Sequence, residues 1–179
     1  AQEGIARMQG HTDAFITIHN DNLLKIAPDR NMSFVDAFAL ADEVLRQTVG
    51  CVAELILTTG IINVDFSDVT TIFRQSTSSD ALLAIGVDES PQKAVLRAIK
   101  SPLIDRGIEG ARGVVLNLTG DPTMSLRDVD EAVQYIHKRA HPEVDIIVGI
   151  VVQPEMVGKV QATLIATDFD DTYIPAPQG

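Results

Sequence analysis

The 179 residues carry a formal net charge of −11, with 45% hydrophobic and 22% charged residues. That length allows one sizeable core, or one domain and part of another, and every apolar run breaks well short of the roughly 20 residues of a membrane span. A soluble globular protein without direct membrane insertion is expected, and the excess of acid, which repels phosphate backbones, sets nucleic acid aside as a partner.

The opening run Ala1 to Gln9 reads as the middle of a helix without its N-cap, with no signal peptide before it, so the chain is expected to be a fragment of something longer. Residues 14 to 18 form a short β-type run, ended by Asn20 and Asp21 ahead of a helical turn from Leu23 to Ile26, which Pro28 closes. The longest element starts at Ser33. Ser33 and Asp36 match a capping box, and Phe34, Phe38, Ala41, Leu45, Val49, Val52 and Ile56 recur at helical spacing up to Thr59-Gly60. About 25 residues at 1.5 Å each give a helix of roughly 35 to 40 Å, longer than a small domain needs, which predicts a helix joining two bodies. The single cysteine, Cys51, falls within it beside Val49, Val52 and Leu55 and reads as helix interior. With no internal disulfide possible, a reducing cytosol is expected.

Beyond this helix the pattern alternates. Residues 82–87, 113–118, 145–152 and 159–167 read as strands. Between the first two lies a helix capped by Ser90 with Pro91 at its first position and an apolar face of Val95, Ala98 and Ile99. Between the second and third lies another, with a Ser125 to Asp128 capping box and apolar Leu126, Val129, Val133 and Ile136. The predicted fold class is α/β: a long bridging helix followed by a small mixed sheet in a βαβαββ layout with helices packed on it. The stretch from Asp168 to Gly179, acidic and then Pro-rich, is expected to be solvated or loosely attached.

The run Gly60-Ile-Ile-Asn-Val-Asp-Phe-Ser-Asp-Val69, directly after the long helix, resembles the GLxNVDFADV loop of the bacterial cell-division GTPase family FtsZ, relatives of tubulin. The likeness extends through AQEGI, NDNLLKI, AFALADEVLRQ, SPLID at 101 to 105, NLTGDPTMSLRDVDEA and TLIATDFD, in order along essentially the whole chain. The resemblance implies a tubulin/FtsZ C-terminal-domain-like fold. It also implies a division into 1–59, the remnant of a nucleotide-binding domain plus the long core helix, 60–168, a GTPase-activating C-terminal domain, and 169–179, a tail.

It further implies that Asn63, Asp65 and Asp68 form a catalytic loop inserted into the nucleotide pocket of the next subunit of a head-to-tail homopolymer. Hydrolysis needs an acceptor that orients a water in line with the γ-phosphate, and cation-binding oxygens nearby. Asp68 is the first candidate for positioning the water and Asp65 the second, while Asn63 is a polar support that adds no charge beside the triphosphate. Carboxylates repel a polyphosphate unless a cation offsets the charge, which favours keeping the acids on a separate subunit. In the family, residues at Asn20 and Asp42 hydrogen-bond guanine and an aromatic at Phe38 stacks on it.

The implied cofactors are GTP or GDP and Mg²⁺, supplied mainly with a missing N-terminal nucleotide-binding half, since nothing in these residues resembles that family's GGGTGTG phosphate loop. The implied enzyme is a GTPase acting at the subunit interface, with this chain inactive alone. The implied location is the cytoplasm, at a midcell division ring, or an organelle stroma for a plastid relative. Departures from the family pattern are Gly50-Cys51, Gly120-Asp121 and Asp88-Glu89.

Blander readings are available for each signal. Taken without the resemblance, residues 63–68 read as an acidic loop and helix start with Asp68 or Ser67 as cap, and Phe38 as core. His137 and His141 have the i, i+4 spacing of a metal pair, but Pro142 ends the helix and a solvated face is expected. The acidic run from Asp168 to Asp171 is expected to be solvated, and the sequons at Asn31 and Asn117 are not expected to be used. The competing function is a non-hydrolysing binding module that caps or regulates filaments through the same acidic face.

Overall fold

The computed structural model describes residues 2–26, 32–76 and 80–174. The elements follow in the order α1 (Gln2–Gln9), β1 (Phe15–Ile16), α2 (Asn20–Ile26), α3 (Phe34–Leu57), α4 (Phe66–Gln75), β2 (Asp80–Asp88), α5 (Pro91–Ile99), β3 (Ala111–Gly120), α6 (Leu126–Arg139), β4 (Asp145–Val152) and β5 (Val160–Phe169). The βαβαββ order from β2 to β5 is the one predicted; β2 and β3 run slightly beyond their expected bounds at both ends, β4 keeps them, and β5 begins one residue later and ends two later than expected. Asn20 and Asp21, expected to end the first strand, instead begin α2, and Pro28 and Asn31 lie outside the described residues.

Caps account for most of the helix starts. The Ser33 hydroxyl accepts the Asp36 N–H at 3.1 Å and donates to the Asp36 carboxylate at 2.6 Å, which starts α3. Ser90 caps α5 through the Lys93 N–H, with Pro91 at the first position, where its missing N–H costs nothing. At α6 the Ser125 hydroxyl takes the Arg127 N–H, not that of Asp128, so the capping box expected there is not closed.

The sheet has five strands in the order β1-β2-β5-β3-β4, with β1/β2 and β3/β4 parallel and β2/β5 and β3/β5 antiparallel. Alternation along the strands separates two faces. Ala84, Leu116, Leu118, Ala162, Leu164 and Ala166 form one core with Val95 and Ala98 of α5 and Ala132 and Ile136 of α6. Leu126, counted on the apolar face of α6 by its spacing, instead lies 76% exposed at the first turn, before the helix reaches the sheet. The other face carries Val115, Ile165, Asn117, Thr163 and Thr167 and receives α4, whose Ile72 is buried, together with the middle of α3 through Cys51 and Thr163.

The bridging helix buries little. Over its 24 residues only Val44 and Cys51 are buried, while Phe34, Phe38, Leu45, Val49 and Ile56 of the predicted stripe all lie more than half exposed. Those apolar positions share a face that the sheet leaves largely uncovered, its C-terminal end at Val52 and Ile56 lining a groove with Phe66 and Phe73 of α4 and Ile165 of β5. A cleft of about 520 Å³ further separates Val44, Gln47 and Thr48 from Leu82, Leu83 and Ile85 of β2.

The stretch from Asp168 is tied down further than expected. Asp168 lies within β5 and pairs with Arg112 at 3.0 Å, Arg106 pairs with Asp171 at 2.9 Å and stacks over Phe169, and the Tyr173 ring meets that of His141. His141 lies beyond α6, its Nδ1 accepting the Glu143 N–H, and no cluster of three or more metal-ligating side chains occurs among the described residues. The Asp88-Glu89 departure is absorbed locally: Asp88 pairs with Arg97, and Glu89 with Lys93 at 2.8 Å.

Candidate functional site

Three anchors hold the loop from Gly60 to Asp65. The first is a two-way bridge to the edge of β4: Ile61 N–H donates to the Ile150 carbonyl at 2.8 Å, and Ile150 N–H donates back to Ile62 at 2.8 Å. Gly60 is needed for this approach, because a Cβ there would stand 2.2 Å from the Ile150 oxygen. The second anchor is Val64, half-buried over Gly149, where a Cβ would meet the Val64 methyl at 2.5 Å and the Asn117 amide oxygen at 2.9 Å. The third is α4 itself. Asp65 is its N-cap, accepting the Ser67 N–H at 2.8 Å, so neither Asp68 nor Ser67 is the cap.

Between these anchors the three polar side chains are exposed. The Asn63 amide oxygen accepts the Gly60 N–H at 2.6 Å, which leaves its NH₂ as the group available to a visitor. One Asp65 oxygen is taken by the cap. Among the described residues no hydrogen bond or ion pair engages the Asp68 carboxylate, one turn further on. Both acids stand at the N-terminus of α4, where the positive end of the helix offsets part of their mutual repulsion. Leu57, Ile61 and Phe66, each more than 60% exposed, surround them with apolar surface.

The other candidates lie at the opposite end of α3. Phe38 is 62% exposed with its ring edge-on to Phe34 at 5.2 Å, and Asp42 is exposed one turn along. Asn20, also exposed, opens α2, which packs against α3. Asp42 and Leu57 are separated by about 22 Å of helix axis at 1.5 Å per residue, before the chain continues to the acids. The two groups of candidates therefore belong to two separate places on the surface.

This arrangement, a bridging helix with an acidic loop at its foot and a mixed sheet beyond, recurs in known proteins. The FtsZ family C-terminal domain matches residues 79–170. The chain belongs to the FtsZ family. Among solved structures it is similar to the empty FtsZ dimer from M. jannaschii, with 35% sequence identity and a TM-score of 0.81, covering 93% of this chain and 48% of that one. The fold is shared by CetZ2 from Haloferax volcanii, seen in a GTPγS-bound protofilament, at 15% identity and a TM-score of 0.73 over 94% of this chain and 50% of that one. The chain thus spans about half the length of the FtsZ structure it matches. Among its described residues no helix is long and apolar enough to cross a membrane.

Two supports of these candidate residues escape a reading of the sequence. Gly149 interrupts an apolar strand, and an isolated glycine in a strand marks close backbone approach, so a signal existed without naming Val64 as its visitor. Asp105 had none: its contacts with His19 and Asn22 cross more than 80 residues.

Proposed function

We propose that this chain is the half of a self-assembling GTPase that presents a catalytic acidic loop to GTP bound on the neighbouring subunit. The observation that carries this is the separation of the two candidate sites along α3. Acids at the foot of the helix cannot reach a base held at its head, yet they face outward, where a second subunit stacked head to tail would bring its own nucleotide. Such heterologous contacts do not close, so stacking yields filaments.

Within that contact Asp68 accepts a hydrogen bond from the attacking water and holds it in line with the γ-phosphate. Asp65 fixes the loop through its cap and offers its remaining oxygen, and the Asn63 NH₂ donates towards phosphate oxygens without adding charge. Magnesium, which usually keeps one or two carboxylates beside phosphate oxygens and water, fits an exposed carboxylate better than a closed protein cage. Asn20, Phe38 and Asp42 receive the guanine of the nucleotide held by this subunit. The exposed apolar face of α3, with Phe34, Leu45, Val49 and Ile56, receives the N-terminal nucleotide-binding half, whose counterpart makes up the other half of the relatives' length.

The test is to mix this chain with a separately made nucleotide-binding half and follow phosphate release from GTP. Turnover should exceed that of the nucleotide half alone and be lost in Asp68→Ala. No gain on mixing overturns the proposal. Sub-stoichiometric inhibition of filament growth that persists in Asp68→Ala would instead identify a capping module.

A further inference from the structure

Among the described residues before Gly60, Asn22 is the only buried polar side chain, at 2% exposure, and it lies two positions from Asn20. A buried amide must find partners or lose the hydrogen bonds it made to water. Its NH₂ donates to the Asp105 carboxylate at 2.5 Å and, more weakly, to the Leu103 carbonyl at 3.5 Å, while its oxygen accepts from Lys25 Nζ at 2.5 Å. The second Asp105 oxygen meets His19 Nε2 at 3.3 Å. One carboxylate therefore holds residues on both sides of Asn20.

Asp105 belongs to the loop between α5 and β3, which is itself ordered by Ser101: its carbonyl takes the Ile104 N–H and its hydroxyl takes the Leu103 N–H. The next residue, Arg106, lies over Phe169 at the end of β5. The loop is thus part of the sheet domain, and its grip on His19 and Asn22 joins the base-contact turn to the domain that carries the acidic loop. Residues 2–19 are also tied to that domain by the two-residue pairing of β1 with β2 and by Gln9, which donates to Asp80 at 2.9 Å.

We infer that Asp105 is a positioning residue, which clasps His19 and Asn22 so that the Asn20 turn and the sheet domain move as one body. This rests on the reading of Asn20 as a guanine contact only for its consequence, and not for the clasp itself.

Residue-resolved amide hydrogen exchange in the 179-residue chain tests the clasp without nucleotide. Asp105→Ala should speed exchange across residues 20–26 on the order of tenfold, while the central amides of β3 and β5 keep their rates. Asn22→Asp should do the same, because two carboxylates then face each other. The exchanged pair Asn22→Asp with Asp105→Asn restores one donor and one acceptor and should return the rates to within about twofold of the parent, a rescue that loss of packing alone would not give. Unchanged exchange in Asp105→Ala, or a double variant no slower than Asn22→Asp, overturns the clasp.

The consequence is read in the assembly with the nucleotide half. Asp105→Ala should raise the KM for GTP about fivefold with the exchanged pair recovering it, and an unchanged KM overturns the positioning role. Asn20→Ala, measured in parallel, reports on the base contact by itself. If that variant leaves the KM for GTP unaltered, the guanine reading fails while the exchange result stands.

Discussion

Asp65 and Asp68 share the first turn of α4 but differ in their contacts, and single substitutions separate the roles proposed for them. Asp65→Ala removes the N-cap as well as a carboxylate, so it should cost about 1 kcal/mol in urea unfolding in addition to lowering turnover. Asp68→Ala removes an exposed side chain with no partner among the described residues and should leave unfolding unchanged within about 0.5 kcal/mol. Phosphate release in the mixed assembly should nevertheless fall by about 10²-fold or more, the contribution of a positioned acid or base. Loss of stability in Asp68→Ala would show that its role is structural. Cys51 is a residue-scale case of the opposite kind. Burial pushes its thiol up, partly offset by a hydrogen bond with Thr163, so little thiolate forms near neutral pH. A disulfide reagent at pH 8 should therefore label the folded chain at least about tenfold more slowly than the urea-unfolded chain.

At the scale of elements, the acidic loop owes its position to backbone approaches that side chains would block. Gly149→Ala forces a methyl group against Val64 and Asn117, and overpacking of this kind should cost about 1 to 3 kcal/mol. The amides of Ile61 and Ile62, which donate to Ile150, should exchange faster in that variant, and unaltered exchange would show that the notch does not hold the loop. The bridging helix gives a complementary expectation. Val49 is 68% exposed, so Val49→Asp should change the stability of this chain by no more than about 0.5 kcal/mol while weakening its association with the nucleotide-binding half in a pull-down or by calorimetry. Equal association would place that half elsewhere on the surface.

At the scale of the molecule, pH acts in two opposed ways. Partial neutralisation of a chain with net charge −11 relieves self-repulsion as pH falls towards 5, which favours the folded state. Below that, carboxylates held low in the folded chain reverse the trend, Asp88, Asp121 and Asp170 among them. Asp88 is held low by the Glu89 N–H and then Arg97, Asp121 by the Thr123 hydroxyl and then the Gly158 N–H, and Asp170 by the Thr172 hydroxyl and N–H. A carboxylate whose folded pKa lies below its unfolded value of about 3.9 contributes stability above that pH, and the contribution disappears as pH falls through the folded value. Urea midpoints should therefore rise slightly from pH 7 to 5 and drop steeply below 4. Asp121→Asn should lower the midpoint at pH 7 and flatten that acid limb.

Much of the architecture was written locally. Ser33 and Ser90 with Pro91 announce their helices, β-branched runs bounded by turns announce β2 to β5, and the loop from Gly60 to Val69 announces its family, because caps, turns and strand composition depend on neighbours in sequence. The direction in which the α3 stripe faces was not legible. Periodicity shows that Phe34, Leu45 and Val49 share a side, but only packing decides that Cys51 meets the sheet at Thr163 while those three stay exposed. The sequence likewise marked Asp65 and Asp68 as acids in one loop, and tertiary contact with Ile150 and Gly149 determined that they point outward, at the far end of a 24-residue helix from Asn20, Phe38 and Asp42. Such pairings join residues more than 80 positions apart. Their energy comes from desolvation and close approach in three dimensions, which no local pattern encodes.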